Sequence, residues 1–130
     1  MPTRAKKPAA PITLTLPALK KDEHNAGIIF VDGKPSHWVI LLAGELKPSP
    51  WKTALAWAKK QGGELPTRRE QSLLFANVKE QFQGAWYWSG EPYASDASSA
   101  WMQLFLNGGQ YGSHVDYYYR ARAVRRIPIQ

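Results

Sequence analysis

Cysteine is absent from this 130-residue chain, which removes disulfide frameworks, thiolate zinc sites and cysteine nucleophiles together. Histidine is scarce: His24, His37 and His114 are scattered and compose no evident facial triad for iron. Long apolar runs are missing too. The longest, residues 38–43 (WVILLA), has the length of a strand and falls far short of the roughly 18–20 residues a membrane helix needs, so no membrane insertion is expected. The first eleven residues carry Arg4, Lys6 and Lys7 among Pro2, Pro8 and Pro11. They lack the apolar centre of a signal peptide, so the chain reads as soluble and made in the cytoplasm. No internal repeat is visible.

The length suits one domain with a single core. The Pro- and Lys-rich beginning reads as an extended arm, because proline removes backbone donors and like charges repel. We therefore expect an arm with a short strand over residues 1–22 and a folded domain over 23–130. Such an arm either solubilises the chain or ties subunits of a homo-oligomer or larger assembly together. The formal net charge is +7, with basic residues concentrated in the arm and in the last strand at Arg120, Arg122, Arg125 and Arg126. This balance suits anionic partners, nucleic acid among them, and it equally suits a solvated surface.

Local patterns give short elements of mixed type. Residues 12–16 (ITLTL) alternate with period two and predict a first strand, ended by Pro17. Residues 28–31 and 37–42 flank Asp32-Gly33, the strongest hairpin signal in the chain. Ser49-Pro50 predicts a helix with serine as N-cap; Trp51, Ala54, Leu55 and Ala58 form its buried stripe, and Gly62-Gly63 stop it. Thr67 and Glu70 have the spacing of a capping box opening a second helix that runs to about Val78 and buries Leu73, Leu74 and Val78. Residues 86–89 (WYWS) predict a strand, and 90–99 a loop. Residues 100–106 alternate, with Ala100, Met102, Leu104 and Leu106 on one face and Trp101, Gln103 and Phe105 on the other. Asn107-Gly108-Gly109 then turns the chain, residues 110–115 return, 116–119 connect, and 120–127 close the sheet.

The segment 62–126 carries a resemblance. A helix started by Leu65-Pro66-Thr67, a Tyr87-Trp88-Ser89 strand, an alternating strand with an Asn-Gly-Gly turn and a closing strand with Arg122-Ala123-Val124-Arg125 resemble the C-type-lectin fold. The similarity is greatest to its formylglycine-generating-enzyme branch and to phage and bacterial domains of unknown function of the Lcl C-terminal-like family. It covers roughly residues 36–127. The resemblance implies an α+β, C-type-lectin-like fold: two short helices packed on twisted antiparallel sheets, with the extended N-terminal arm outside. Catalytic members of that branch depend on cysteines or on several histidines at iron, and this chain has neither set.

The chemistry-bearing residues point away from catalysis. Glu45, Glu64, Glu70, Asp96 and Asp116 show no paired spacing for a general acid and base. Ser113, His114 and Asp116 are adjacent in sequence, but neighbours on a strand point to opposite faces and do not make a triad. Neither a cofactor nor a transition metal is expected. Glu91-Pro92 partly matches the Glu-Pro-Asn sugar motif of true C-type lectins, yet Tyr93 replaces the amide; calcium has a candidate position only at Asp96 and its loop.

The remaining candidates are aromatic and small polar residues of the C-terminal half. Gln103, Phe105, Gln110, Tyr111, Ser113, His114, Asp116, Tyr117 and Tyr118, with Tyr93 and Trp101 beside them, make a ligand-binding set of the kind paratopes use. Trp86, Trp88, Trp101 and Tyr119 are expected mainly as core, since a small domain with six tryptophans has to bury most of them. Arg120, Arg122 and Arg126 form a candidate anion-binding set. The resemblance extends to retroelement-diversified ligand-binding proteins, whose changing residues sit on the last strands and loops. It implies a non-enzymatic module on a phage virion or tail, binding a protein or glycan and contacting other virion subunits through the arm. The alternative is a phage-encoded intracellular or assembly protein, working in the host cytoplasm, that binds nucleic acid or an acidic host protein through its basic surface.

Overall fold

Asp32 and Gly33 both adopt positive φ, +50° and +76°, the geometry that lets a two-residue turn match the twist of its strands. They join β1 (His24–Val31) to β2 (Lys34–Leu41) antiparallel, with Val31 opposite Lys34. The computed structural model in which this is seen describes residues 14–130. β1 starts earlier than the apolar run suggests. Gly27, at φ +115°, makes a bulge in which its N–H donates to Asn25 Oδ1 at 2.8 Å, and the ladder skips between the two residues. β8 (Val124–Pro128) pairs with the other side of β2, so the first sheet has the order β1-β2-β8. Of the strand expected at 12–16, residues 12 and 13 lie outside the described residues, and 14–16 carry no strand.

Helix α1 (Trp51–Lys60) buries Ala54 and Ala58 completely, as their spacing requires. Ser49 is not its cap. Pro50 holds that position in extended backbone, while Ser49 ends β3 (Leu46–Ser49) and its hydroxyl donates to Lys47 O at 2.8 Å. Proline's lack of an N–H and its fixed φ suit a helix start without a side-chain acceptor. Helix α2 (Arg68–Val78) opens on a complete capping box: Glu70 N–H donates to Thr67 Oγ1 at 3.1 Å, and Thr67 N–H donates to Glu70 Oε1 at 2.8 Å. Leu74 and Val78 are buried and Leu73 is half-buried; Glu70 and Gln71 are buried with them, which apolar spacing did not foretell.

The second sheet has the order β3-β7-β4-β5-β6, built from β4 (Trp86–Pro92), β5 (Ser99–Leu104), β6 (Gln110–His114) and β7 (Tyr119–Ala121). β4 extends to Pro92, so the expected loop at 90–99 shrinks to a tight turn. The expected single closing strand at 120–127 is split: β7 belongs to the second sheet and β8 to the first. The chain changes sheet at Arg122-Ala123, where Leu42 N–H donates to Ala123 O at 2.9 Å. β7 also pairs with β4 in parallel at Tyr87 and Arg120, so the second sheet is not purely antiparallel.

Two apolar clusters follow from this arrangement. One lies between the first sheet and α2 and holds Val39, Leu41, Leu74, Tyr87 and Phe105; the other lies under α1 and holds Ala54, Ala58, Trp88, Ala100 and Met102. Trp88 is fully buried and its indole N–H donates to Ser49 O at 2.8 Å. Removing about 200 Å² of ring from water is worth on the order of 5 kcal/mol at roughly 25 cal/mol per Å². Among the described residues the architecture is α+β, with two α-helices and two sheets.

Candidate functional site

β5 is the strand on which the surface expectation turns. Its alternation predicts one wet face, yet both faces are covered. Ala100 and Met102 enter the cluster under α1, and Gln103 faces α2. Gln103 is fully buried; its amide nitrogen donates to Gln71 O at 2.8 Å and its amide oxygen accepts from Gln110 Nε2 at 2.8 Å. Phe105, just past the strand, is buried and stacks on Phe82 at 3.9 Å between centroids, 8° from parallel. Both residues therefore leave the ligand-binding set. Their position satisfies the core rather than a partner, because α2 occupies the face that alternation alone leaves open.

The candidate anion set is likewise spent inside the molecule. Arg122 is buried, donates to Gln81 O at 2.6 Å and Leu42 O at 2.9 Å, and has its pKa lowered by burial. Arg120 pairs with Glu45 at 3.0 Å. Arg126 pairs with Glu70 at 2.7 Å and Glu64 at 3.1 Å, and neighbouring Arg125 pairs with Glu23 at 2.9 Å. Arg120 sits on β7, Arg125 and Arg126 on β8 and Arg122 in the crossing between them, and together they knit the two sheets to α2 and the loops. Charge spacing along one strand does not reveal this, since each acidic partner comes from far away in sequence.

What remains on the surface is a continuous run from β6 into the following turn. Tyr111 is 54% exposed, Tyr117 60% and Tyr118 66%. Tyr111 is braced edge-on against half-buried Trp86, at 5.5 Å and 72°, which limits its freedom before any partner arrives. His114 lies 6.0 Å from the Tyr117 ring, and its Nδ1 accepts from Asp116 N–H at 3.2 Å. Ser113 and Tyr119 share a hydroxyl–hydroxyl bond of 2.9 Å. Tyr119 is half-buried and packs on Trp88 at 4.9 Å, joining this run to the core.

A second group lies on the opposite face of β6, where Gln110, Tyr93 and Trp101 of the expected set meet Arg68 and Arg69, which were not singled out from the sequence. Arg68, at the start of α2, lies over Trp101 at 3.4 Å, and Tyr93 packs on the same indole at 4.6 Å. Gly112 is opposite Trp101 in the ladder, and a side chain there would strike the Tyr93 ring. Gln110 clasps α2: its Nε2 donates to Arg68 O at 2.8 Å and its Oε1 accepts from Arg68 Nε at 3.0 Å. Two cavities open along this face. One, of about 270 Å³, is lined by Arg68, Arg69, Ser72, Glu91 and Gln110; the other, of about 120 Å³, by Tyr93, Asp96, Ser99 and Gly112. The available signal was the Arg68-Arg69 pair directly after a helix cap.

The titratable groups are mostly structural. Glu70, 1% exposed, would be pushed up by burial, but hydrogen bonds from Arg126, the Thr67 amide and His37 hold it down at about 2. Burial, then the hydrogen bond to Glu45, raises the Tyr87 phenol well above its ordinary range. Asp96 is lowered by Ser98 and Ser99 and serves as the acceptor that shapes its turn: it takes Ser98 N–H at 3.0 Å, Ser98 Oγ–H at 2.7 Å and Ser99 Oγ–H at 2.9 Å. Ser113 donates to or accepts from Tyr119, not His114, so the adjacent Ser-His-Asp residues form no relay. Among the described residues no group of three or more His, Asp or Glu converges as a metal site. No protein-family model matches the chain, and no curated protein matches it.

Proposed function

We propose that this chain is a non-enzymatic ligand-binding module of C-type-lectin-like fold, carried on a phage virion or tail, that binds a protein or glycan through β6 and the turn after it. The fold assignment is supported by the pairing of an early strand, β2, with the last strand, β8, around two helices and a second, loop-bearing sheet. The virion setting comes from the sequence resemblance. The observation that carries the binding proposal is the exposure of Tyr111, Tyr117 and Tyr118 within eight residues of chain, with Ser113, His114 and Asp116 between them. Tyrosine offers large contact area at little entropic cost, and small polar neighbours adapt their hydrogen bonds. The alternative, nucleic acid or an acidic host protein held by the basic surface, has less support, because Arg120, Arg122 and Arg126 are engaged internally.

The test is a binding screen of the intact chain against immobilised glycans and a displayed protein panel, repeated with Tyr111→Ala/Tyr117→Ala and with residues 1–10 deleted. Truncating two anchor rings is expected to cost about 2 kcal/mol or more, roughly thirtyfold in Kd, while the deletion leaves binding intact. Loss on deletion, retention by the double variant and a steep salt dependence would establish the charge-driven alternative.

A further inference from the structure

Sheet edges expose rows of backbone donors and acceptors, and proteins usually blunt them with charge, proline or bulges. Among the described residues, three of the four sheet edges are treated in that way. β3 carries Lys47 and Pro48 and an irregular register; β1 has two register shifts; β8 carries two arginines and Pro128, and Glu64 bridges its backbone at Val124. β6, Gln-Tyr-Gly-Ser-His, has none of these features, and its five-residue register with β5 is unbroken.

The direction of its backbone groups follows from two hydrogen bonds. Leu104 N–H donates to Gly109 O at 2.8 Å and Val115 N–H to Ser98 O at 2.9 Å. By the two-residue period, Tyr111 and Ser113 bond to β5, whereas Gln110 and Gly112 aim N–H and C=O outward. No strand flanks that side among the described residues. Gln110 and Gly112 also share the face on which the two cavities open, one beside each residue. A strand laid along this edge projects alternate side chains onto that face, about 7 Å apart, one toward each cavity.

We propose that β6 takes up an extended acidic peptide segment as an added sixth strand, with main-chain bonds to Gln110 and Gly112 and a carboxylate side chain received by Arg68 and Arg69. The proposal rests on the assignment of β6 to the binding face and specifies its partner as a protein segment. Charge decides the occupant. Arg68 and Arg69 have no carboxylate salt-bridge partner among the described residues: Arg68 is held by Gln110 and Trp101, and Arg69 donates to Phe30 O. The one acid in that cavity, Glu91, accepts the Arg68 backbone N–H at 2.9 Å. A second copy of this chain brings another +7 and the same two arginines to the edge, so it complements the site poorly. Gly112 has no side chain, which lets the Tyr93 ring lie directly against the strand and form one wall of the second cavity.

The experiment selects binders to the intact chain from a random octapeptide library and measures the enriched peptides by titration and amide hydrogen exchange. Expected are peptides with an Asp or Glu in common and slowed exchange at Gln110 and Gly112. N-methylation of one peptide amide that faces β6, which leaves the protein untouched, should weaken binding up to roughly tenfold. Arg69→Gln should cost at least about tenfold. Binding without protection of the Gln110 and Gly112 amides, enrichment of basic rather than acidic peptides, or β6-dependent dimerisation of the chain by itself in sedimentation would overturn the proposal. Tyr117→Ala/Tyr118→Ala separates the two ideas: edge protection that survives this change with unaltered affinity refutes the tyrosine face alone. Ring-dependent binding with unprotected amides refutes the added strand alone.

Discussion

Arg126 on β8 grips Glu70 in the first turn of α2 with two hydrogen bonds, Nε to Oε2 at 2.7 Å and Nη2 to Oε1 at 2.8 Å. The same carboxylate caps its own helix through Thr67 N–H and receives His37 Nε2 at 2.9 Å. One buried side chain therefore ties β2, β8 and α2 together. A carboxylate removed from water is tolerated here because all its partners are donors, two of them on a guanidinium.

That pairing makes stability depend on pH. The Glu70 pKa falls from 4.5 to about 2 on folding, so its contribution is fully present above the unfolded value and is lost as pH falls through the folded one. Wild-type stability should drop by about 3 kcal/mol between pH 5 and pH 2 from this group. Glu70→Gln should already be destabilised at pH 7 and show a flatter profile over that window. Urea melts at several pH values check this, and an unchanged profile in Glu70→Gln would refute it.

Thr67→Ala should cost about 1 kcal/mol by leaving the Glu70 amide without its acceptor, and Thr67→Ser should restore most of it. Chemical denaturation of the three proteins is the measurement. Equal stability of all three would show that the capping box contributes nothing.

Gly62 and Gly63 should fail for different reasons. Gly62 sits at φ +86° with open space around it, so Gly62→Ala should cost about 1 kcal/mol of backbone strain. At Gly63 a Cβ would collide with Val124 O and Leu42 Cδ1, beside the paired bonds Glu64 N–H to Val124 O and Val124 N–H to Glu64 O. Gly63→Ala should cost about 1–3 kcal/mol and expose the β8 amide of Val124 to exchange, whereas Gly62→Ala should not.

Glu45 accepts from the Tyr87 hydroxyl, Arg120 and Gln83. Tyr87→Phe deletes one donor to the carboxylate, which stays paired, and the acceptor of the Gln83 N–H, so it should cost about 1 kcal/mol. Glu45→Ala strands a buried hydroxyl and the Arg120 guanidinium and should cost more, about 2 kcal/mol or above. Thermal melts of the single variants and the double variant give the coupling directly; additive losses would show that the two groups act independently.

Local chemistry was legible wherever a few neighbouring residues decide the outcome. The Asp32-Gly33 turn needs only two residues able to adopt positive φ, and the Thr67–Glu70 box needs only a spacing of three. The Ala54 and Ala58 stripe needs only helical periodicity. Tertiary structure decided what each strand face meets. Gln103 and Phe105 alternate like surface-facing residues, but α2 crosses that side of β5 and buries them. Arg120, Arg122 and Arg126 look like a cationic strand in sequence, but the chain changes sheet at Arg122-Ala123, and each guanidinium finds an acceptor distant in sequence. Side-chain direction along a strand is set by its period of two, whereas its burial is set by what packs above it. That second quantity depends on contacts between residues far apart in the chain, which no local pattern contains.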